Sequence, residues 1–567
     1  MRRRDRQGDF KPRTSCLQRG FRVAAFAGAT LVNSGCVTTG FMDYIHNGFK
    51  VGPNYCQPPA PVAAEWINAN DPRIQGPPPR DGDWWEVFQD PVLNSLIVRA
   101  YRQNPSLRSI GTRVLQARAA QAIAVGDIFP QTQGISGFYQ QGTFNGTPYH
   151  FDQTGFNLSW ELDFWGKYRR QIESANAALD ASVETYDDAL VTLLADVATN
   201  YVNYRITQLR IKIAIDNLRT QEKLVAVAEQ QQRVGTAAEI DVRQLRTLMK
   251  QTRSSIPALR IARGQANDRL CILLGEPPRD LEPELGPGSD LGSLPMPRTP
   301  QSVAAGIPAD LLRRRPDVRS AERLVAAQNP QIGVAQAELY PSLSVSTLLG
   351  DVDANVAAFV TSSPTPGRSG FFAFVQPEFS WNLLNYGRLA NNVHRQEART
   401  QEFIAAYQNQ VLVAAQEVQS ALRGFLESQE QSDALAGSAA DATVAAKIDE
   451  DLFNQVKAEV NRLFILETTR LQAQDQLAVA QGNIALNLIN VYRALGGGWQ
   501  LRTQLEACHA APAKPDIWSI GIGRTQVTIS RVGEQPAAPV DTPAPVNAAP
   551  APPAERLPGS GSVAPTK

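Results

Sequence analysis

The 567-residue chain has few of the side chains on which catalysis and metal binding usually rest, with five cysteines and four histidines. Cys16, Cys36, Cys56, Cys271 and Cys508 form no CxxC pair, and His46, His150, His394 and His509 are widely scattered, so their spacing supports neither a metal site nor a disulfide framework. Net charge is lacking as well. Lys plus Arg (55) cancel Asp plus Glu (55), which removes the basic footprint that a nucleic-acid partner requires. No Gly-rich phosphate loop stands between a strand and a helix pattern, and carboxylate pairs such as Asp187-Asp188 read as solvated helix positions. An enzyme is therefore not expected, and no cofactor or metal is implied. The length exceeds what one hydrophobic core usually supports, which leaves several domains or one elongated body.

What is present begins with an export signal. Basic residues from Arg2 to Arg22 precede a short apolar run, Val23 to Val32, that is too short to span a bilayer. The run ends in Ser34-Gly35-Cys36, similar to the lipobox at which bacterial lipoproteins are cleaved and acylated, so Cys36 is the lipidation candidate. An ordinary signal peptide with an incidental cysteine is the competing reading. Val37 follows in place of the aspartate that retains many such lipoproteins at the inner membrane, and the outer membrane is the implied destination.

Proline and glycine are missing from long stretches. None occurs from Lys167 to Val234, where Ile172, Leu179, Tyr186, Leu190, Leu193, Val197, Tyr201 and Tyr204 recur at spacings of seven, four and three. That period predicts a coiled-coil-like helix of roughly 100 Å at 1.5 Å per residue. Gly235 is its expected C-cap, and Thr236-Ala237-Ala238-Glu239 reads as a capping box that opens a returning helix to about Leu274, kinked or broken at Pro257. A counterpart from Arg388 to Lys457, interrupted only by Gly424 and Gly437, turns near Ala458 to Arg462 and returns to Leu495.

These two hairpins belong to two copies of one unit. Pro105 to Pro130 and Pro316 to Pro341 are equally long helical stretches, ending in Asp127-Ile128-Phe129-Pro130 and Glu338-Leu339-Tyr340-Pro341, although Pro330 interrupts the second. After each closing proline the period changes to two. Phe156, Leu158, Trp160, Leu162 and Phe164 alternate with Asn157, Ser159, Glu161 and Asp163. The partner strand is expected from about Gln131 to Phe144, through an Asn145-Gly146 turn. In the second copy Leu343, Val345 and Leu349 alternate with serines, and Phe371 to Leu383 alternate with Gln376, Glu378, Ser380 and Asn382, with a bulge or unpaired site expected at Pro377. Alternation alone also fits a soluble sheet with one buried face. Joined to very long helices, the strands instead predict transmembrane hairpins whose polar residues face a wet lumen, and four strands close a barrel only with other copies.

The chain resembles the TolC-like outer-membrane efflux family, in the lipoprotein branch (NodT/OprM-type) that serves resistance-nodulation-division pumps. The resemblance runs from about Lys50 to Trp499, through Lys50-Val51-Gly52-Pro53-Asn54-Tyr55, Trp84-Trp85, Leu158-Ser159-Trp160-Glu161-Leu162-Asp163, Leu273-Leu274-Gly275-Glu276-Pro277-Pro278, Arg313-Arg314-Arg315-Pro316-Asp317-Val318-Arg319 and Tyr492-Arg493-Ala494-Leu495-Gly496-Gly497-Gly498-Trp499. It implies a mainly α fold with transmembrane β: a homotrimer with a shared twelve-stranded barrel and a periplasmic helical tunnel. A periplasmic membrane-fusion adaptor, an inner-membrane resistance-nodulation-division transporter and outer-membrane lipid are the implied partners, with no nucleic acid. Relatives narrow the periplasmic end, often with aspartates near the second hairpin turn. Here that turn reads Lys457-Ala458-Glu459-Val460-Asn461-Arg462, so Glu459 and Asn461 are the constriction candidates, against a merely solvated turn.

The expected organisation is a lipoprotein signal over residues 1–35, an anchored extended segment over 36–82, and repeats over 83–295 and 296–500. A C-terminal extension covers 501–567, Pro/Ala-rich and disordered from about 535. The expected function is a passive duct for drugs or other small molecules. Protein secretion or metal efflux through the same body, and a non-conducting coiled-coil lipoprotein, are the alternatives; matching hairpins in both copies argue against the last.

Overall fold

The computed structural model describes residues 44–74, 82–144, 147–286, 296–354, 368–455, 459–509, 517–522 and 525–530. The signal, Cys36, the Asn145-Gly146 turn and the Pro/Ala-rich tail lie outside these residues. The chain divides into two units between Gln504 and Leu505. Among the described residues of the second is a hairpin of β5 (Ile517–Ile522) and β6 (Thr525–Ser530).

The first unit starts with helix α1 (Pro91–Gln103), capped by the Asp90 carboxylate, which accepts from Val92 N and Leu93 N. Helix α2 (Pro105–Gly126) follows, its N-cap Asn104 accepting from Leu107 N. Both helices carry proline in the first turn, where the missing N–H costs nothing. Strands β1 (Thr132–Phe144) and β2 (Thr147–Glu161) then lead into α3 (Lys167–Arg233), a 67-residue helix. Helix α4 (Glu239–Leu273) returns along it. Next come α5 (Pro316–Ala337), β3 (Ser342–Ala354), β4 (Arg368–Ser380), the 67-residue α6 (Arg388–Asn454), α7 (Val460–Ala494) and α8 (Gln500–His509).

The four strands make one antiparallel sheet in the order β1-β2-β3-β4, leaving β1 and β4 as free edges. Pairing runs Phe156 with Ile135 and Leu349, and Leu349 with Ala373. Residues paired in this way share a face.

Several local expectations are corrected. Pro377 makes no bulge: the register passes through Val345 and Pro377 without a slip, so the ladder to β3 tolerates the missing N–H. Pro257 and Pro330 break neither α4 nor α5. Packing on both sides of α5, where Pro330 is buried and Ile332 and Ala335 pack with Val393, holds the helix through the lost hydrogen bond. Thr236 does not open a capping box. Its hydroxyl donates back to Gln231 O, and the Asp241 carboxylate accepts from Ala238 N instead. Asn461 and Arg462, expected in the turn, already belong to α7.

The ends of the helical segments are tied by side chains. Asn104 Nδ2 donates to Leu273 O (2.8 Å), and Arg315 Nη1 donates to Ala494 O (2.8 Å). Trp84 is buried and stacks on Tyr492, with centroids 5.5 Å apart. Residues 44–74, ahead of α1, form a strap. The Tyr44 hydroxyl donates to Phe164 O, Arg169 holds Gly48 O and Phe49 O, Arg170 holds Val51 O and Gly52 O, and Arg73 reaches Leu426 O on α6.

Candidate channel-forming site

Alternation places Asn157, Ser159 and Glu161 of β2 and Gln376, Glu378 and Ser380 of β4 on one face of the sheet. The register aligns Ser159, Ser346 and Gln376 in one row and Glu161, Ser344 and Glu378 in the next. Six of the eight sequence-selected residues thus come together. Asp163 and Asn382 lie just past the strand ends. The reason is local for Asp163: its carboxylate accepts from Tyr168 N (2.9 Å), Arg169 N (3.1 Å) and Arg169 Nε (2.8 Å), so the N-terminus of α3 draws it out of the strand. Asn382 lies in the connection between β4 and α6, its backbone carbonyl accepting from Asn385 Nδ2. At this junction a cleft of about 390 Å³ brings Glu161, Asp163, Ser380 and Asn382 beside Lys167 and Arg388. Glu161 accepts from the Tyr168 hydroxyl (2.8 Å) and lies 3.5 Å from Lys167 Nζ.

The polar face is not polar throughout. Away from the helices, Phe138 and Phe151 meet at 5.2 Å, and Phe372 and Phe374 at 6.1 Å, on the side that carries Asn157 and Gln376. Sequence reading passed over them because the run Phe371-Phe372-Ala373-Phe374-Val375 does not alternate, and only its odd positions were assigned a face. The opposite face is apolar and open: Ile135 is 81% exposed and Phe371 76%, with Val375 and Phe379 beside them. At its helical end Trp160 donates its indole N–H to Ile128 O and Trp381 donates to Leu339 O, both at 3.1 Å. Among the described residues no helix is long and apolar enough to cross a membrane.

At the far end of the hairpins Glu459 is the exposed N-cap of α7, and Asn461 is exposed in its first turn. Directly behind them Arg462 pairs with the buried Asp449 at 2.6 Å. Leu224, Val225, Ala228, Val242 and Leu245 of the first hairpin pack there against Phe453, Val460 and Leu463 of the second. Higher up, Arg210 makes a bidentate pair with Asp475 (2.7 and 2.9 Å), and Asn217 bonds Gln474 and Arg470. Sequence reading missed these ties because they join residues more than 250 positions apart.

Asp187 corrects another expectation: it is fully buried and accepts from Arg502 Nε (2.7 Å) and Nη2 (3.0 Å), so it does not sit on a solvated face. Cys56 is exposed and Cys271 buried, both free, and no His, Cys, Asp and Glu group among the described residues could hold a metal ion.

Comparison with known proteins places this geometry. The sequence profile of the outer membrane efflux protein family matches residues 96–276 and 307–497. The nodulation protein T of Rhizobium leguminosarum bv. trifolii is 31% identical over 397 residues, covering 68% of this chain and 80% of that protein. The pyoverdine export outer membrane protein OpmQ of Pseudomonas aeruginosa is 31% identical over 439 residues, covering 74% of this chain and 87% of that protein. The solved structure of the outer-membrane channel OprN superposes with a TM-score of 0.71 at 30% identity, over 79% of this chain and 99% of that one.

Proposed function

This chain belongs to the outer membrane efflux protein family, and from that premise we propose that it is the outer-membrane channel subunit of a tripartite efflux system. In this reading it is a passive duct. An inner-membrane resistance-nodulation-division transporter supplies energy, a periplasmic membrane-fusion adaptor docks the helical hairpins, and drugs or other small molecules leave through the lumen. Of the relatives described above, OpmQ is named for pyoverdine export and OprN as an outer-membrane channel, which supports a transport role.

The observation that carries the reading is a four-stranded sheet with an exposed apolar face, two free edges, and 67-residue helices leading directly from it. Free edges cannot stand in lipid, so other copies must complete the barrel. A homotrimer would give twelve strands, with the apolar face toward lipid. Asn157, Ser159, Glu161, Gln376, Glu378 and Ser380 would face the lumen, and Asp163 and Asn382 would sit at its lower rim. Glu459 and Asn461, exposed where the hairpins end, would then stand at the periplasmic mouth.

An internal repeat supports the ring. Helices α2 and α5 have 22 residues each, α3 and α6 have 67, and α4 and α7 have 35. Pro105 and Pro316 lie 211 positions apart, and Trp160 and Trp381, like Gly275 and Gly496, lie 221 apart. This correspondence supports repeats over 83–295 and 296–500, preceded by a signal over 1–35 and an extended segment over 36–82, and followed by a C-terminal extension from 501. Lipidation at Cys36 fits the strap, which begins at the strand-to-helix junction with Tyr44 on Phe164.

Planar-bilayer conductance, recorded on detergent-purified protein of known native mass, tests the function. Discrete pores from a trimer are expected; an elongated monomer that never enters bilayers would overturn the reading in favour of a structural lipoprotein.

A further inference from the structure

The sheet face that carries Asn157 and Gln376 bears a band of rings above its polar rows. Counting outward from the helices, Glu161, Ser344 and Glu378 form the first row, and Ser159, Ser346 and Gln376 the second. Asn157, Leu348 and Phe374 follow in the third, and Gly155, Gly350 and Phe372 in the fourth. Phe138 stands with Gln153 and Val352 in the fifth, and Phe151 belongs to the next.

Two ring pairs therefore flank the opposed glycines. Phe372 and Phe374 lie 6.1 Å apart at 25°, and Phe138 and Phe151 lie 5.2 Å apart at 34°. The glycines let part of this band lie flat: a Cβ at Gly350 would stand 3.0 Å from Phe372 Cζ, and one at Gly155 would stand 3.2 Å from Leu348 Cδ1. One ring of each pair, Phe372 or Phe151, is half-buried. Its neighbour is open, Phe374 being 47% exposed and Phe138 52%. Rings turned to lipid would be ordinary, but these share their face with asparagine, serine and glutamine, on the side that a barrel turns to water. A contiguous apolar patch on a wet surface marks a place where something else binds.

Charge narrows what binds. From the first row to the fifth this face holds two charged residues, Glu161 and Glu378, and no base. Glu161 is engaged by the Tyr168 hydroxyl and by Lys167. Glu378 is exposed and has no ion-pair partner among the described residues. The first basic position in the alternation is Arg368, at the outer end of β4. Ring faces are the negative side of the aromatic quadrupole, so the rings and the carboxylate attract the same kind of molecule. Phe374 and Glu378 are four residues apart on one strand, ~13 Å, so a cation of several rings can lie on Phe374 with its charge toward the carboxylate.

We propose that this band is a binding wall for aromatic organic cations, with the two phenylalanine pairs as the ring contacts and Glu378 as the counter-charge. It rests on the channel reading and deepens it, because the duct then holds cargo of this class on its wall instead of serving as an inert tube. All of the contacts come from one copy of the sheet.

The test is equilibrium dialysis of ethidium, an aromatic cation, against full-length detergent-purified protein, with empty micelles as the blank. Native mass and bilayer conductance are recorded on the same preparation. Saturable binding is expected, displaced neither by tetraethylammonium, a cation without rings, nor by pyrenetetrasulfonate, an aromatic anion. Each exposed cation–π contact is worth about 2–5-fold in affinity. Phe372→Leu/Phe374→Leu keeps apolar bulk over Gly350 but removes both ring faces, and should weaken ethidium roughly tenfold with native mass and conductance unchanged. Phe138→Leu/Phe151→Leu makes the same test on the second pair, and serves if the first variant fails to assemble. Glu378→Gln should weaken ethidium about threefold and leave the rings in place. Wild-type affinity in an assembled leucine variant, or displacement by tetraethylammonium, would overturn the wall and leave the channel standing. Protein that binds ethidium through these rings yet forms no pores would overturn the channel reading and leave the ring site standing.

Discussion

Asp187 and Asp188 are neighbours on one helix and differ in almost everything that burial decides. Asp187 is fully enclosed and accepts two hydrogen bonds from Arg502, so removing the carboxylate takes both of these bonds from a partly buried guanidinium. Asp187→Ala should cost ~3–5 kcal/mol in thermal or denaturant unfolding, the range for breaking one side of a buried pair. Asp188 instead lines a cavity of about 610 Å³ with Arg315, Asp317, Glu417 and Arg493. Burial, and then the charge of Asp317, push its carboxyl from the ordinary 3.8 up to about 6. The folded chain therefore holds a proton there between about pH 4 and 6 that the unfolded chain has lost, so this group's contribution to stability falls as pH rises through that window. Asp188→Asn should raise the unfolding temperature at pH 7.5, with the gain vanishing near pH 4; an unchanged or larger gain at pH 4 would contradict the assignment. Nothing in the dipeptide separates the two aspartates, because their partners come from residues more than 100 positions away.

At the scale of elements, most of the order was legible and most of the joints were not. Both long helices announce themselves by the absence of proline, the first also by a period near 3.5, and the strands by alternation, since each pattern is local. The strap is not legible. Its fixing groups, Arg169 and Arg170 on Gly48, Phe49, Val51 and Gly52, act through carbonyls that any sequence could supply. The motifs that carry the family resemblance turn out to be such joints. Gly275 (φ +75°) and Gly496 (φ +72°) end α4 and α7, and an added Cβ would stand 2.5 Å from Gln103 O in the first case and 2.9 Å from Arg315 Cα in the second. Backbone cannot retreat as a flexible side chain could. Gly496→Ala and Gly275→Ala should therefore each destabilise by ~1–3 kcal/mol, from a left-handed conformation and a backbone clash together. Gly264 supplies the contrast: it lies inside α4 with open space beside it, and Gly264→Ala should stabilise by ~0.5–1 kcal/mol through helix propensity. Opposite signs in chemical unfolding check both arguments at once.

For the whole molecule the remaining question is what holds it in the outer membrane, a barrel wall or an acyl chain. The sheet presents Ile135, Phe371, Val375 and Phe379 on one exposed face, a band that three copies would close around a lumen. Cys36 stands eight positions before Tyr44, whose hydroxyl is seated on Phe164 at the base of that sheet. Eight extended residues reach at most ~27 Å, enough to place an acylated cysteine at the bilayer surface beside the strands. The two attachments differ in strength. Single lipid chains bind membranes marginally and reversibly, whereas a closed barrel is immersed in hydrocarbon around its full circumference. Cys36→Ser should thus abolish the lipid mass seen on the mature wild-type N-terminus by mass spectrometry, yet leave the protein in the outer-membrane fraction after alkaline carbonate washing and trimeric in detergent. Release of the variant by carbonate would mean that the acyl chain, and not the strands, carries the attachment. An unmodified wild-type cysteine would remove the anchor from the account and leave the barrel to hold the molecule alone.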